Sequence, residues 1–393
     1  MTKVGSGLSQ KPDSVQAASE AIQLAMKNIG TETPDLVFVF ASTAHDYKKV
    51  LQEVKSKTNA VNIVGCSTAG EFTEKLTATN SVAVMAVKSD SIKFEVVLAD
   101  NVKGNYNQVA ENVFKDFKDQ SKKVSLEGFR YPTVMMVMDG LVGNGEDFVK
   151  SIYSKAGILS QIVGGAAADD GKFKETNVFY GTEVHSNAIV FIKMFSKNKV
   201  GIGVSHGMKN TTKPMRVTKS IGGILYELDG KPAFDAYKEY AESKGVTLNP
   251  ENTGNFLINN ELAIQDLTFT KIRAPLTPNT DGSLNMATEV PQGCLVTIVG
   301  SSESDLVRAA QEAATEAKNN LGDAKAAGII TFDCICRQVI MGANFINEVK
   351  AIENVFGENV PVIGFATYGE IARFSGTLNG FHNATAVVCA LPE

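Results

Sequence analysis

Tryptophan is absent from the 393 residues, and there are only 11 prolines and 5 cysteines. Without tryptophan, any platform for stacking bases or sugars would have to rest on Phe and Tyr. Five cysteines, an odd number with no framework spacing, exclude a disulfide scaffold and read as reduced thiols in a reducing compartment. Long apolar runs are missing too. A run such as residues 82–87 falls far short of the roughly 20 residues of a membrane span, and the opening MTKVGSGLSQKPD lacks an export h-region. A cytoplasmic location with no membrane partner is expected. The net charge is −5, with Lys and Arg scattered, so no field attracts a polyanion and nucleic acid is not expected as a partner.

What is present is an ordinary globular composition, 44% apolar and 21% charged with 34 glycines, on a chain longer than the roughly 250 to 300 residues one core usually organises. Two domains are expected. Self-similarity gives the organisation: Ile63-Val64-Gly65-Cys66-Ser67-Thr68-Ala69-Gly70-Glu71, Ile162-Val163-Gly164-Gly165-Ala166-Ala167-Ala168-Asp169-Asp170 and Val362-Ile363-Gly364-Phe365-Ala366-Thr367-Tyr368-Gly369-Glu370. In each copy a β-branched pair runs into Gly, then small residues, then a carboxylate six positions on. Upstream lie short apolar runs at 36–41, 134–138 and 328–332, and helical periodicity at 44–57, 146–155 and 338–356, with Ser42-Thr43 and Asn144 as suitable N-caps.

Each unit therefore holds a right-handed, parallel βαβ element, preceded by a helix at 14–28, 107–119 or 304–320. Short turns after 87 and 195 predict antiparallel hairpins, 81–87 with 92–98 and 188–195 with 199–205. The fold class is α/β (α+β), with mixed β-sheets flanked by helices in two domains built from repeated αβαβ(β) units. Residues 1–222 hold two units. Residues 223–393 hold one unit, set apart by an insertion at 208–293 that carries strands, a helix from 232 to 244 and a turn at Asp281-Gly282.

Glycine-rich turns at strand ends let backbone N–H groups approach a ligand, as open α/β sheets do, or merely permit close packing. Gly164 and Gly165 are candidates on that basis. Asp139, Asp169, Asp170, Asp333 and Glu370 follow strands and could converge on a cation, or be solvated turn carboxylates. Arg337, close behind Cys334, is the natural fork for a ligand carboxylate, or else a structural ion pair. Phe365, Thr367 and Tyr368 would add an apolar wall and hydroxyls. Cys66, Cys334 and Cys336 read as buried inert thiols more readily than as nucleophiles. Nucleophile-elbow, CxxC and phosphate-loop patterns are all missing.

The residues Gly65 to Glu71, Asp139-Gly140-Leu141, Val163 to Asp170, Gly203-Val204-Ser205-His206-Gly207, Glu227 to Ala233, Phe332 to Arg337, Gly364 to Glu370 and Asn383-Ala384-Thr385 together resemble the FIST family. This is a bacterial sensory module in two parts, FIST N and FIST C. The resemblance implies a non-catalytic receptor for a small cytosolic ligand, such as an amino acid, that requires no cofactor. An alternative implied by some members is a haem-containing nitric oxide sensor acting on a histidine kinase, for which His206, at a strand end, is the candidate ligand. A thiol-dependent enzyme is a third reading. No kinase, methyl-accepting or cyclic-dinucleotide segment stands in the sequence, so a signal is expected to pass through a separate signalling protein such as a histidine kinase.

Overall fold

The computed structural model describes residues 1–143, 145–157, 160–265, 270–373 and 380–393. The suggested cap Asn144 lies outside the described residues. The expected mixed α/β architecture is present, and the three repeats build three six-stranded sheets of one plan. In the first, the order is Thr2–Ser9, Val82–Ser89, Leu36–Ser42, Asn62–Thr68, Val178–Tyr180, Glu183–His185. The second runs Ile92–Asp100, Ala188–Ser196, Tyr131–Met138, Gln161–Ala166, Glu370–Arg373, Gly380–His382. The third runs Gly201–Ser205, Ala386–Pro392, Ala326–Cys334, Val362–Thr367, Glu71–Thr73, Thr77–Ala78. The third and fourth strands of each sheet are the expected parallel pair.

Two expectations need correction. Residues 81–87 and 92–98 do not form a hairpin, nor do 188–195 and 199–205. In each case the second strand opens the next unit's sheet, because it pairs with that unit's last strand. A strand at Thr2–Ser9 plays the same part in the first unit. The outer hairpin of every sheet, moreover, comes from another unit. Unit one lends Glu71–Thr73 and Thr77–Ala78 to sheet three, unit three lends Glu370–Arg373 and Gly380–His382 to sheet two, and unit two lends Val178–Tyr180 and Glu183–His185 to sheet one. The donations form a closed cycle. Side chains of all three sheets share one core, where the Phe365 ring lies 4.4 Å from Phe40 and 5.8 Å from Phe332.

Helices cover the outer faces. Ser14–Ala25 is capped by Asp13, and Tyr47–Thr58 begins later than expected because Asp46, not Ser42 or Thr43, accepts the Lys49 N–H at 3.2 Å. Glu303–Leu321 starts with a capping box between Ser302 and Asp305. The opening strands of units one and three carry Gly-x-Gly against alanine rows. A Cβ on Gly5 or Gly7 would lie 2.0 or 2.2 Å from the Ala25 or Ala21 carbonyl oxygen, and one on Gly203 would lie 1.9 Å from that of Ala313. The strand thus rests directly on helix backbone. Gly203→Val is expected to cost about 3 kcal/mol through overpacking, read as a lower urea midpoint with an unchanged slope. Residues 209–300 add a nine-stranded sheet whose core includes Val217, Tyr237, Leu262 and Ile298. Among the described residues no helix is long and apolar enough to cross a membrane.

Candidate functional site

The three glycine loops do gather. Loop one meets loop three through Ala69 N–H to Ala366 O (3.2 Å) and Ala366 N–H to Gly70 O (2.8 Å). Loop three meets loop two through Ala166 N–H to Gly369 O (2.8 Å). Loop two meets loop one through Ala168 N–H to Ser67 O (2.9 Å) and Asp170 N–H to Thr68 O (3.0 Å). These N–H groups serve one another and not a ligand. The glycines serve packing as well: a Cβ on Gly164 would lie 2.0 Å from Met136 O, and one on Gly165 2.7 Å from the Phe332 ring.

The carboxylates then separate the copies. Loops one and three share Thr-x-x-Glu: Thr68 donates to Glu71, and Thr367 donates to Glu370 at 2.5 Å. Ser81 Oγ and the Thr385 N–H (3.2 Å) satisfy the second oxygens. Both glutamates are fully buried. Burial pushes Glu71 up to about 8 and Glu370 well above the ordinary carboxylate range. Loop two has Ala167 where the threonine would stand, so its acid has no such tether. Asp170 instead turns at φ +55° and accepts from Thr43 N–H (3.0 Å) and Ser42 Oγ (3.2 Å).

That departure opens a cavity of about 370 Å³ between the end of the Leu36–Ser42 strand and residues 169–177. Asp169 forms its floor, accepting from the N–H groups of Phe173 (2.8 Å), Lys174 (2.6 Å) and Glu175 (2.9 Å) and from the Tyr368 hydroxyl. Burial opposes its charge, but the Tyr368 and backbone hydrogen bonds outweigh it and hold the carboxyl below its usual range. Tyr368 is raised by burial and by Asp169, and its ring stacks on Phe173 at 4.3 Å and 7°. Thr43, Tyr47 and Asn177 supply polar walls, and Lys172, Lys174 and Glu175 bring charge of both signs to the rim. Lys172 reaches Thr43 Oγ1 at 2.5 Å and Asp170 at 3.7 Å.

Of the residues singled out in the sequence, Asp169 lines this cavity, while Asp170 and Tyr368 bond to residues that line it, Asp170 to Thr43 and Lys172 and Tyr368 to Asp169. Gly164, Gly165, Phe365, Thr367 and Glu370 lie behind it in the core. Asp139 is buried, accepting from Leu141 N–H (2.9 Å), Asn187 N–H (2.5 Å) and Thr176 Oγ1, and it pins turns. Cys334 and Arg337 lie in a separate buried cluster. All five Arg337 N–H groups are committed, to Glu348 Oε1 (2.9 and 2.5 Å) and to the carbonyls of His206 (3.0 Å), Ala384 (3.3 Å) and Leu306 (3.0 Å), with Asp333 at 3.2 Å. No N–H is left to grip a ligand carboxylate. Thr43, Tyr47, Lys172, Lys174, Glu175 and Asn177 were not singled out. The signal for them was the missing threonine and doubled Asp in copy two.

The residues around His206 do not fit a haem. Its Nδ1 accepts the Met208 N–H at 2.9 Å, so the proton sits on Nε2, the nitrogen that would have to bind iron. Burial and the Arg337 charge hold its pKa down to about 4. Among the described residues no three His, Cys, Asp or Glu side chains are grouped to hold a metal ion.

Residues 35–231 match the FIST N domain and residues 233–373 the FIST C domain. The chain belongs to the FIST family. FIST domains are associated with sensing in signal transduction. An uncharacterized protein of Methanocaldococcus jannaschii is 28% identical over 222 residues, 54% of this FIST chain, which spans about two fifths (41%) of that relative's length. An uncharacterized protein of Mycobacterium tuberculosis H37Rv is 23% identical over 405 residues, 98% of each chain. A solved cyanuric acid hydrolase is 8% identical, with a TM-score of 0.36 over 99% of each chain.

Proposed function

We propose that this FIST protein is a cytosolic, non-catalytic sensor that binds a small zwitterionic metabolite, of the amino-acid class, in the cavity above Asp169. The observation that carries this reading is the departure of the second copy from the pattern of the other two. Where the other two loops seal a glutamate into the core, this one leaves a hollow of about 370 Å³ with ammonium, carboxylate and amide groups around it. Lys174 and Lys172 suit a ligand carboxylate, Glu175 an ammonium, and Asn177 and Thr43 its polar substituents.

Asp169 itself is already saturated by hydrogen bonds, so it shapes the loop and does not hold the ligand. Because its oxygen is bound by Tyr368, tightening of residues 169–177 would be felt at Tyr368 in the FIST C part, from which a separate signalling protein such as a histidine kinase could read it. Calorimetric titration with an amino-acid panel is expected to give heat with at least one member, and Lys174→Ala to weaken that binding about tenfold or more. No heat from any member, with the fold intact, would remove the proposal.

A further inference from the structure

Apart from the ligand cavity, one cluster of nucleophilic groups is unused by the sensory reading. Cys334 ends the Ala326–Cys334 strand and Cys336 lies in the Ile335–Met341 helix that follows. Cα atoms two residues apart at such a turn are roughly 5 to 7 Å from each other, which overlaps the span of a disulfide. The two thiols share a small apolar cluster with Ala274, at the junction between the 209–300 sheet and the third unit. Across that junction stands Glu261. It is fully buried and neither carboxyl oxygen has a hydrogen-bond partner, and the Cys336 thiol is near enough to act on its charge.

We propose that Cys334 and Cys336 are a peroxide-reactive dithiol that closes to an intramolecular disulfide, with Glu261 as the proton carrier. The Cys336 thiol and the backbone N–H groups of Cys336 and Ala384, with the Arg337 charge behind them, hold Cys334 below the ordinary thiol range against its burial. Burial keeps Glu261 protonated. The Cys334 thiolate attacks one peroxide oxygen and the O–O bond breaks. The departing hydroxide takes the Glu261 proton and leaves as water, and the Glu261 carboxylate is reprotonated from solvent, which received the Cys334 proton when that thiol ionised. The Cys336 sulfur then attacks the Cys334 sulfenic acid. The S–O bond breaks, and the hydroxide leaves as water with the Cys336 proton. Two thiols are oxidised by two electrons, and one peroxide is reduced to two waters.

The other cysteines serve as internal controls. Burial raises Cys66, Cys389 (to about 12) and Cys294, although Cys294 is the most accessible of the five. The full chain, folded, is treated with hydrogen peroxide, then denatured, alkylated and cut with trypsin, which places both thiols on the single peptide 326–337. That peptide is expected to lose both alkylation sites and the mass of the thiol hydrogens, reversibly with dithiothreitol, while Cys66, Cys294 and Cys389 stay alkylated. In Cys336→Ser the reaction is expected to stop at a dimedone-reactive Cys334. Oxidation of Cys294 first, or full alkylation of peptide 326–337 after peroxide, would overturn the proposal in the unsubstituted protein, whatever the variants do.

Discussion

Arg337→Ala is expected to cost the fold roughly 3 to 5 kcal/mol, the range for breaking a buried ion pair on one side only. Its guanidinium is fully buried and serves the Glu348 carboxylate, the nearby Asp333 and three backbone carbonyls. Removing it takes a donor from two acids and three carbonyls. The measurement is the urea midpoint, with an unchanged slope. Arg337→Lys is expected to recover little, since one ammonium cannot reach acceptors set out for a five-donor fork. Arg337→Met combined with Glu348→Leu should recover much of the loss, because the charge left behind is removed as well. A folded Arg337→Ala protein of native midpoint that had lost only ligand affinity would restore Arg337 as a ligand group and refute the structural account.

The contribution of Glu71 to stability is expected to fall as pH rises from about 5 to about 8, the reverse of the usual carboxylate trend, while His206 and His382, held below the ordinary histidine value, act oppositely up to about 6.5. Glu71 has an ordinary value of 4.5 and a folded value of about 8, raised by burial against the hydrogen bonds of Ser81 and Thr68. Between those values the folded chain keeps a proton that the unfolded chain has released, so folding is favoured by acid and the contribution is lost as pH climbs through the folded value. Glu261 and Glu370, raised by the same cause, act with the same sign. Asp169, whose folded value is lowered, acts oppositely and only in more acid solution. Glu71→Gln retains an acceptor for Thr68 or Ser81 and cannot ionise. It is expected to gain about 1 to 3 kcal/mol on wild type at pH 9, a fraction of the 1.4 kcal/mol per unit available across the window, with little difference at pH 5. Urea midpoints of both proteins at the two pH values decide it, and parallel pH curves would count against a buried, titrating Glu71.

Much of the fold was readable because its signals are local. Three β-branched pairs running into glycine marked three parallel strand ends, and helical spacing marked the crossovers. The strand at Thr2–Ser9 was not readable, since its Gly and Ser alternate with few apolar residues and only the alanine row of Ser14–Ala25 gives its glycines a purpose. The exchange of hairpins was not readable either. A short turn between two strands looks the same whether they pair with each other or enter different sheets, and side-chain period names a face and not a partner. In the site, Asp169 and Tyr368 were found through the repeat. Lys172, Lys174 and Glu175 looked like any solvated turn, and nothing in the spacing from Arg337 to Glu348 tells that they meet at 2.5 Å.

The cyclic lending of hairpins bears on how the polypeptide can be divided. Between residues 231 and 233, where FIST N gives way to FIST C, a break would strip sheet two of Glu370–Arg373 and Gly380–His382, and sheet three of strands on both its margins. Neither fragment would own a complete core, yet each would hold what the other lacks. A nick at the exposed Gly222-Gly223 turn therefore leaves the pieces clasped, and halves made from separate genes have the complementary surfaces needed to find one another.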